Sequence, residues 1–283
     1  MPNPFKNSVR ILQHLSIDVV IGSVGMGVLA AQLLNTEVPL IWWFILPLCV
    51  WVMYTLDHLL DAANSKKEPT IPRHLFHRQH AHQLIYLVGG LGITALSLTL
   101  LFLPIQIILG GVILTTSIFV YFLSLRLLPE RFRKWIPKEM VIACIYVGGI
   151  FFVPWWFSIG SPAAKTHWIM VIILLLVWSE GVMAAWFDRE NDLLDGHHSF
   201  ATLAGKSLTK KIVTVVLSAT FAGLILIIIR SQAIEIFSSS LVLLAINSGL
   251  LIIIWGDKYF EKNSRYRSWG ELLFILPVIL LLV

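Results

Sequence analysis

Charge is what this sequence has least of. Asp, Glu, Lys and Arg make up 13% of its 283 residues, against about 25% in an average soluble domain. That deficit excludes a solvated globular surface and a disordered chain, both of which need charge to stay in water. Cysteine is nearly absent. Cys49 and Cys144 both fall inside apolar runs, which excludes the disulfide framework of small secreted domains and leaves two buried structural thiols as the expectation. The net charge is only +5, and the basic residues cluster between apolar runs, which reports membrane topology and argues against a nucleic-acid partner. Hydrocarbon fills the rest: 57% of the residues are hydrophobic and the mean hydropathy is +0.82.

A membrane-spanning helix needs about 20 mostly apolar residues. Nine such spans are expected, at about 15–34, 39–60, 83–103, 105–125, 139–159, 166–188, 211–230, 234–255 and 269–283. Lys6 and Arg10 precede the first as in a signal peptide, but the succession of spans makes it an uncleaved first helix. With this count, every Lys and Arg except Lys165 and Arg230 falls on one side. The positive-inside rule then puts the N-terminus in the cytoplasm and the C-terminus outside. The expectation is an all-α polytopic protein of the plasma or inner membrane, one transmembrane domain over 1–283, with the lipid bilayer as its surroundings. Gly22, Gly25, Gly27, Gly89, Gly90, Gly110, Gly111, Gly148 and Gly149 are expected at close helix contacts.

Two acidic runs stand out in this background. Asp57-His58-Leu59-Leu60-Asp61 ends the second span and Asp188-Arg189-Glu190-Asn191-Asp192 the sixth, with Asp195 close behind. Carboxylates four residues apart share one helix face, and a helix C-terminus disfavours negative charge. Something positive must compensate. One candidate is Mg²⁺, which is commonly held by one or two carboxylates plus substrate phosphates; two facing pairs would hold ions that bridge a diphosphate. The other is loop-edge ion pairing with Lys66, Lys67, Arg73 and Arg189.

The chain resembles the UbiA superfamily of intramembrane prenyltransferases, nine-helix bundles around a central cavity. The resemblance rests on Tyr54-Thr55-Leu56-Asp57 through Asp61 followed by Pro69-Thr70-Ile71-Pro72-Arg73, on Asp188 through Asp195-Gly196 leading to Thr202-Leu203-Ala204-Gly205, and on the patch from Tyr121 to Arg126. It departs from the family pattern where Met53 and Tyr54 replace an Asn and the first Asp, and where Ala185 replaces a leading Asp. The resemblance implies Mg²⁺ held by Asp57, Asp61, Asp188, Asp192 and Asp195 on the cytoplasmic side. It implies a prenyl diphosphate bound by Arg73 and Arg126, and transfer of the prenyl group to an aromatic or other lipophilic acceptor; Lys138, after a basic loop, is either a further phosphate ligand or a topology signal. Some relatives instead resemble terpene cyclases, which need no acceptor. Tyr121, in the patch that resembles the family's, is expected to bind substrate as well, and Trp51, Tyr54, Trp178, Trp186 and Phe187 are the expected aromatic lining for a carbocation.

Other residues carry separate expectations. Glu180, two turns before Asp188, lies where a carboxylate costs about 2.5–3.5 kcal/mol on insertion scales, which makes it a functional candidate able to orient or deprotonate an acceptor. Asp18 with His14 is a weaker case, and Glu271 is expected at the interface. The histidine-rich segment 73–82 is expected to be a solvated basic loop. An ion-coupled transporter using Asp18 and Glu180 is an alternative function. A CDP-alcohol phosphotransferase is disfavoured because Asp195-Gly196 continues as His-His-Ser-Phe.

Overall fold

The computed structural model describes residues 11–64, 71–129, 132, 136, 138–159, 164–196 and 198–282. Lys66, Lys67, Pro69, Thr70, His197 and the side chain of Arg126 lie outside the described residues, and with them the expectations placed on them.

The described residues form helices joined by short turns, with no strand among them. In chain order the helices are α1 (Ile17–Leu33), α2 (Trp42–Asn64), α3 (Pro72–Gln79), α4 (Ala81–Phe102), α5 (Ile105–Leu127), α6 (Lys138–Phe157), α7 (Ala164–Asp195), α8 (Phe200–Ala204), α9 (Lys206–Arg230), α10 (Ile234–Trp255), α11 (Asp257–Glu261) and α12 (Arg265–Leu273), followed by a 3₁₀ segment, Leu276–Leu282. Among the described residues six helices are long and apolar enough to cross a membrane: α2, α4, α6, α7, α9 and α10. Ile17–Leu33 and Ile105–Tyr121 are shorter apolar stretches. The chain is an integral membrane protein. Its α4 buries only Leu84 and Ala95 and presents Ile85, Tyr86, Ile93, Leu101 and Phe102 outward, an apolar surface suited to lipid and not to water.

Three expectations change at this level. Segment 269–283 is not one helix: α12 stops at Leu273 and i→i+3 bonds such as Ile275 N to Leu272 O and Val278 N to Ile275 O carry the chain onward. Pro277 has no N–H to continue an α-helix. Cys49 and Cys144 are free and exposed rather than buried. Gly89, Gly90, Gly111 and Gly148 face open space, whereas Gly25 and Gly27 do sit at contacts. A Cβ on Gly25 would lie 3.2 Å from Phe274 O, so the absence of a side chain lets the C-terminal segment lie against α1.

The core runs through α1, α6, α7, α9 and α10, with Leu29, Ile150, Ile173, Leu176, Leu217 and Leu243 essentially inaccessible. Around it, α7 packs on α6 and α9, α9 on α10, and α1 on α2, α6 and the 3₁₀ segment. Helix α7 is the axis of the arrangement. Its 32 residues rise about 48 Å at 1.5 Å each, well beyond a hydrocarbon core of about 30 Å. The surplus carries Asp188 and Asp192. Gly196, at φ 77°, ends it, and a capping box in which Ser199 Oγ accepts from Thr202 N while Thr202 Oγ1 accepts from Ser199 N starts α8.

Candidate active site

The ends of α2 and α7 meet at a cavity of about 240 Å³, lined also from α1, α3, α6, α12 and the α7–α8 turn. Four acids expected at the site reach it: Asp57 and Asp61 from α2, Asp188 and Asp192 from α7. The i, i+4 spacing holds because both pairs lie within the last turns of continuous helices. Among the described residues, seven carboxylates line the cavity, these four with Glu139, Glu180 and Glu271, against three permanent cations, Arg73, Lys138 and Arg267. An enclosed surface with that imbalance attracts cations.

The charges are paired in a specific way. Lys138, the first residue of α6, places its Nζ 2.8 Å from Asp61 Oδ2 and 3.8 Å from Asp57 Oδ1. On the opposite side Arg267 Nη2 donates to Asp188 Oδ2 and the Tyr266 hydroxyl to Asp188 Oδ1, each at 2.5 Å. Phe187 stacks on the Tyr266 ring at 4.3 Å and holds it there. Each acidic pair therefore has one member clamped by a cation and one, Asp57 or Asp192, held less tightly. Among the described residues the clamps are Lys138 and Arg267 rather than Arg73 and Arg189; Arg189 Nε instead donates to Ala201 O.

Arg73 lines the cavity, but its guanidinium is already engaged. It donates to Glu271 Oε1 at 2.8 Å and Gln13 O at 2.9 Å, and lies 3.3 Å from His58 Nε2. Glu271 is buried in that ion pair, not interfacial. The arrangement ties α3 to α12 across the mouth of α2. Segment 73–82 is accordingly not a solvated loop: Pro72 starts a helix in which Arg73, His74 and His77 are buried. Burial pushes the His77 imidazole below the usual histidine range. Its Nδ1 lies 2.9 Å from Arg73 O, so in the neutral ring Nδ1 carries the proton.

Glu180 and Tyr54 line the cavity as expected. Tyr121, buried on α5, is not among the lining residues, although it lies close enough to Lys138 to feel its charge. Asp195 ends α7 outside the lining. Trp186 is turned away from the cavity: its Nε1 donates to Lys206 O at 2.7 Å and the ammonium groups of Lys206 and Lys210 lie 5.4 and 5.5 Å from its ring. Trp51 packs with Leu59 and Leu84, and Trp178 edge-on to Phe200. The expected aromatic lining thus reduces to Tyr54, joined by Tyr146 and Phe274, which the sequence reading missed. Arg267, Tyr266, Glu139 and Ser199 were missed as well. Arg267 had counted only as a topology charge, and the signal that could have singled it out is its place four residues before Glu271, on the same helix face. Glu139 accepts from Phe200 N at 2.7 Å, which fixes the start of α8 beside Lys138.

Among the described residues no three His, Cys, Asp or Glu side chains form a ready-made metal cage. The donor set nonetheless suits Mg²⁺: hard carboxylate oxygens, an excess of negative charge, and room for a phosphate-bearing ligand to complete the coordination.

No family model matches the sequence, and no curated protein matches it. Among solved structures, the chain is similar to a UbiA homolog from Archaeoglobus fulgidus bound to DMAPP and Mg²⁺, at 13% sequence identity, with a TM-score of 0.60 over 93% of this chain and 98% of that one. At that identity the likeness is one of architecture, and it agrees with the two acidic pairs meeting at one cavity: the chain has a UbiA-like fold.

Proposed function

We propose that this protein is a Mg²⁺-dependent intramembrane prenyltransferase, which binds a prenyl diphosphate at the acidic end of the cavity and transfers the prenyl group to a lipophilic acceptor. The observation that carries the reading is the convergence of Asp57, Asp61, Asp188 and Asp192, from two separate helices, on one partly apolar cavity. The solved UbiA homolog bound to DMAPP, a prenyl diphosphate, and Mg²⁺ supports it. Asp57, Asp61, Asp188 and Asp192 are the residues that would hold Mg²⁺; Asp195 lies outside the lining. When bound, the ion neutralises the diphosphate leaving group.

The chain's own groups do the rest. Lys138 and Arg267, which clamp the acids from opposite sides, are placed to give N–H donors to phosphate oxygens. Arg73 positions α3 and Glu271 rather than meeting phosphate. Below the acids the lining turns apolar, with Val19, Ile142, Ala143, Val177 and Phe274, which accommodates an isoprenoid tail and excludes water from an allylic cation. Tyr54 offers that cation an aromatic face, worth roughly 0.5–2 kcal/mol. The basic loops favour a cytoplasmic position for this end of the cavity, with the whole chain acting as one transmembrane domain.

The test is diphosphate release by the purified protein from prenyl diphosphates of five to twenty carbons, with Mg²⁺ or EDTA. The expected result is Mg²⁺-dependent release that falls at least about 100-fold in Asp57→Ala and in Asp188→Ala, in keeping with the loss of charge stabilisation of a leaving group. Absence of release from every substrate, or full activity in both variants, defeats the reading. Proton-coupled flux in liposomes without diphosphate release would establish the carrier instead.

A further inference from the structure

One polar group at the other end of the cavity has no work in the scheme above. Glu180 lies on α7 eight residues before Asp188, about 12 Å deeper at 1.5 Å per residue. It lines the cavity, and among the described residues it has no hydrogen-bond or ion-pair partner. The hydroxyls of Tyr54 and Tyr146, which line the same stretch, have none either. None of these three polar tips is sealed off by protein atoms, so they open on the cavity. The facing helix makes room for them. A Cβ on Gly270 would sit 3.2 Å from Glu180 Oε1, so glycine at that position leaves the carboxylate space. An unpaired carboxylate at membrane depth is costly and marks a functional position. Here it faces the apolar end of a cavity whose far end holds the proposed diphosphate site, with only the length of a small substrate between.

We infer that Glu180 is the proton acceptor for a hydroxyl-bearing, otherwise apolar acceptor seated between Tyr54 and Tyr146, and that the reaction is transfer to oxygen rather than cyclisation. This rests on the prenyl-diphosphate reading. The bond between the allylic carbon and the diphosphate oxygen breaks, and its electron pair leaves on the diphosphate. A lone pair of the acceptor oxygen forms a new C–O bond to that carbon, and the hydroxyl proton passes to the Glu180 carboxylate. The tyrosine hydroxyls donate or accept hydrogen bonds that orient the acceptor. A cyclase needs no hydroxyl-bearing acceptor and would leave the Tyr54 and Tyr146 hydroxyls on the cavity wall without a role.

The experiment incubates purified protein with Mg²⁺, prenyl diphosphates of five to twenty carbons, and each of an alkylphenol, a hydroquinone and a monoacylglycerol. Products are separated into prenyl ether, prenyl alcohol and cyclic hydrocarbon. The wild type is expected to form an ether with at least one acceptor. In Glu180→Gln the ratio of ether to prenyl alcohol is expected to fall about 100-fold or more, the range for loss of a general base. Gly270→Ala, which keeps the carboxylate but presses on it, is expected to lower the same ratio, and it serves if Glu180→Gln does not fold. A merely structural role for Glu180 would lower all products together and leave the ratio alone. A ratio within about threefold of wild type in both variants overturns the inference, as does a wild type that yields only cyclic or acceptor-independent products. A wild type that releases no diphosphate at all defeats the underlying prenyltransferase reading, a distinguishable failure.

Discussion

Replacing Lys138 by Met removes the cation that sits between Asp57 and Asp61 and keeps most of the side chain's volume. At 2.8 and 3.8 Å from the two carboxylates, the ammonium gains about 4 kcal/mol from each unit charge near 4 Å at an effective dielectric of about 20. Desolvation offsets much of that, and the side chain is 25% exposed. Breaking a buried pair by removing one partner costs about 3–5 kcal/mol, so the partly exposed Lys138 belongs at about 3 kcal/mol. For a chain of this size that corresponds to a melting point lowered by about 6 °C or more, taking 2–4 °C per kcal/mol. The assay is thermal unfolding of detergent-purified protein in EDTA and in Mg²⁺. Divalent ion at a hundredfold excess over its Kd returns about 2.7 kcal/mol, because it can take the place of the lost Lys138 ammonium between the carboxylates. The variant is therefore expected to be much less stable than wild type in EDTA, and to gain more from Mg²⁺ than wild type does. Melting points within about 1 °C of wild type in EDTA, with equal Mg²⁺ shifts, would refute the view that Lys138 holds this pair together.

Three further outcomes follow from particular contacts. Trp186→Phe deletes the bond from Nε1 to Lys206 O, so it is expected to cost about 1 kcal/mol of stability while leaving the KM for prenyl diphosphate unchanged; a raised KM would return Trp186 to the substrate site. Gly25→Val puts a side chain against Phe274 O and Val278; overpacking of this kind costs about 1–3 kcal/mol, and chemical denaturation together with diphosphate release should show both stability and activity falling as the C-terminal segment shifts Phe274 in the cavity wall. His77 is held below its ordinary pKa of 6.5 by burial. Its unfolded form takes the proton first, so the stability it contributes is present above about pH 6.5 and is lost as the pH falls. His77→Leu is expected to be less stable at neutral pH, for want of the bond to Arg73 O, but to show a shallower decline between roughly pH 6.5 and 5 in thermal melts, and an unchanged slope would count against the assignment.

The acids were legible in the sequence because their signal is local. Asp57 with Asp61, and Asp188 with Asp192, share a face by helical spacing alone, and in a chain with so little charge each pair demands compensation. The extent of α7 was less legible. A reading by hydropathy stops at the first charge, Asp188, but a helix continues wherever its backbone bonds and side packing persist, here to Asp195 against α8. Trp186 misled for a related reason. Proximity in sequence to Asp188 does not fix direction, and two residues along a helix is a rotation of about 200°, which aims its ring at Lys206 and Lys210 instead of the cavity.

By itself the sequence determined that this chain lives in a membrane, that its apolar segments are helical, and that two carboxylate pairs end two of them, since each of these follows from composition or from periodicity within one helix. Only the tertiary structure decided which cations meet those carboxylates. Lys138 is 77 residues from Asp61 and Arg267 is 79 from Asp188, and contacts between helices depend on how whole faces pack, which no local pattern encodes. The same packing buried Glu271 with Arg73 and, among the described residues, left Glu180 without a hydrogen-bond or ion-pair partner.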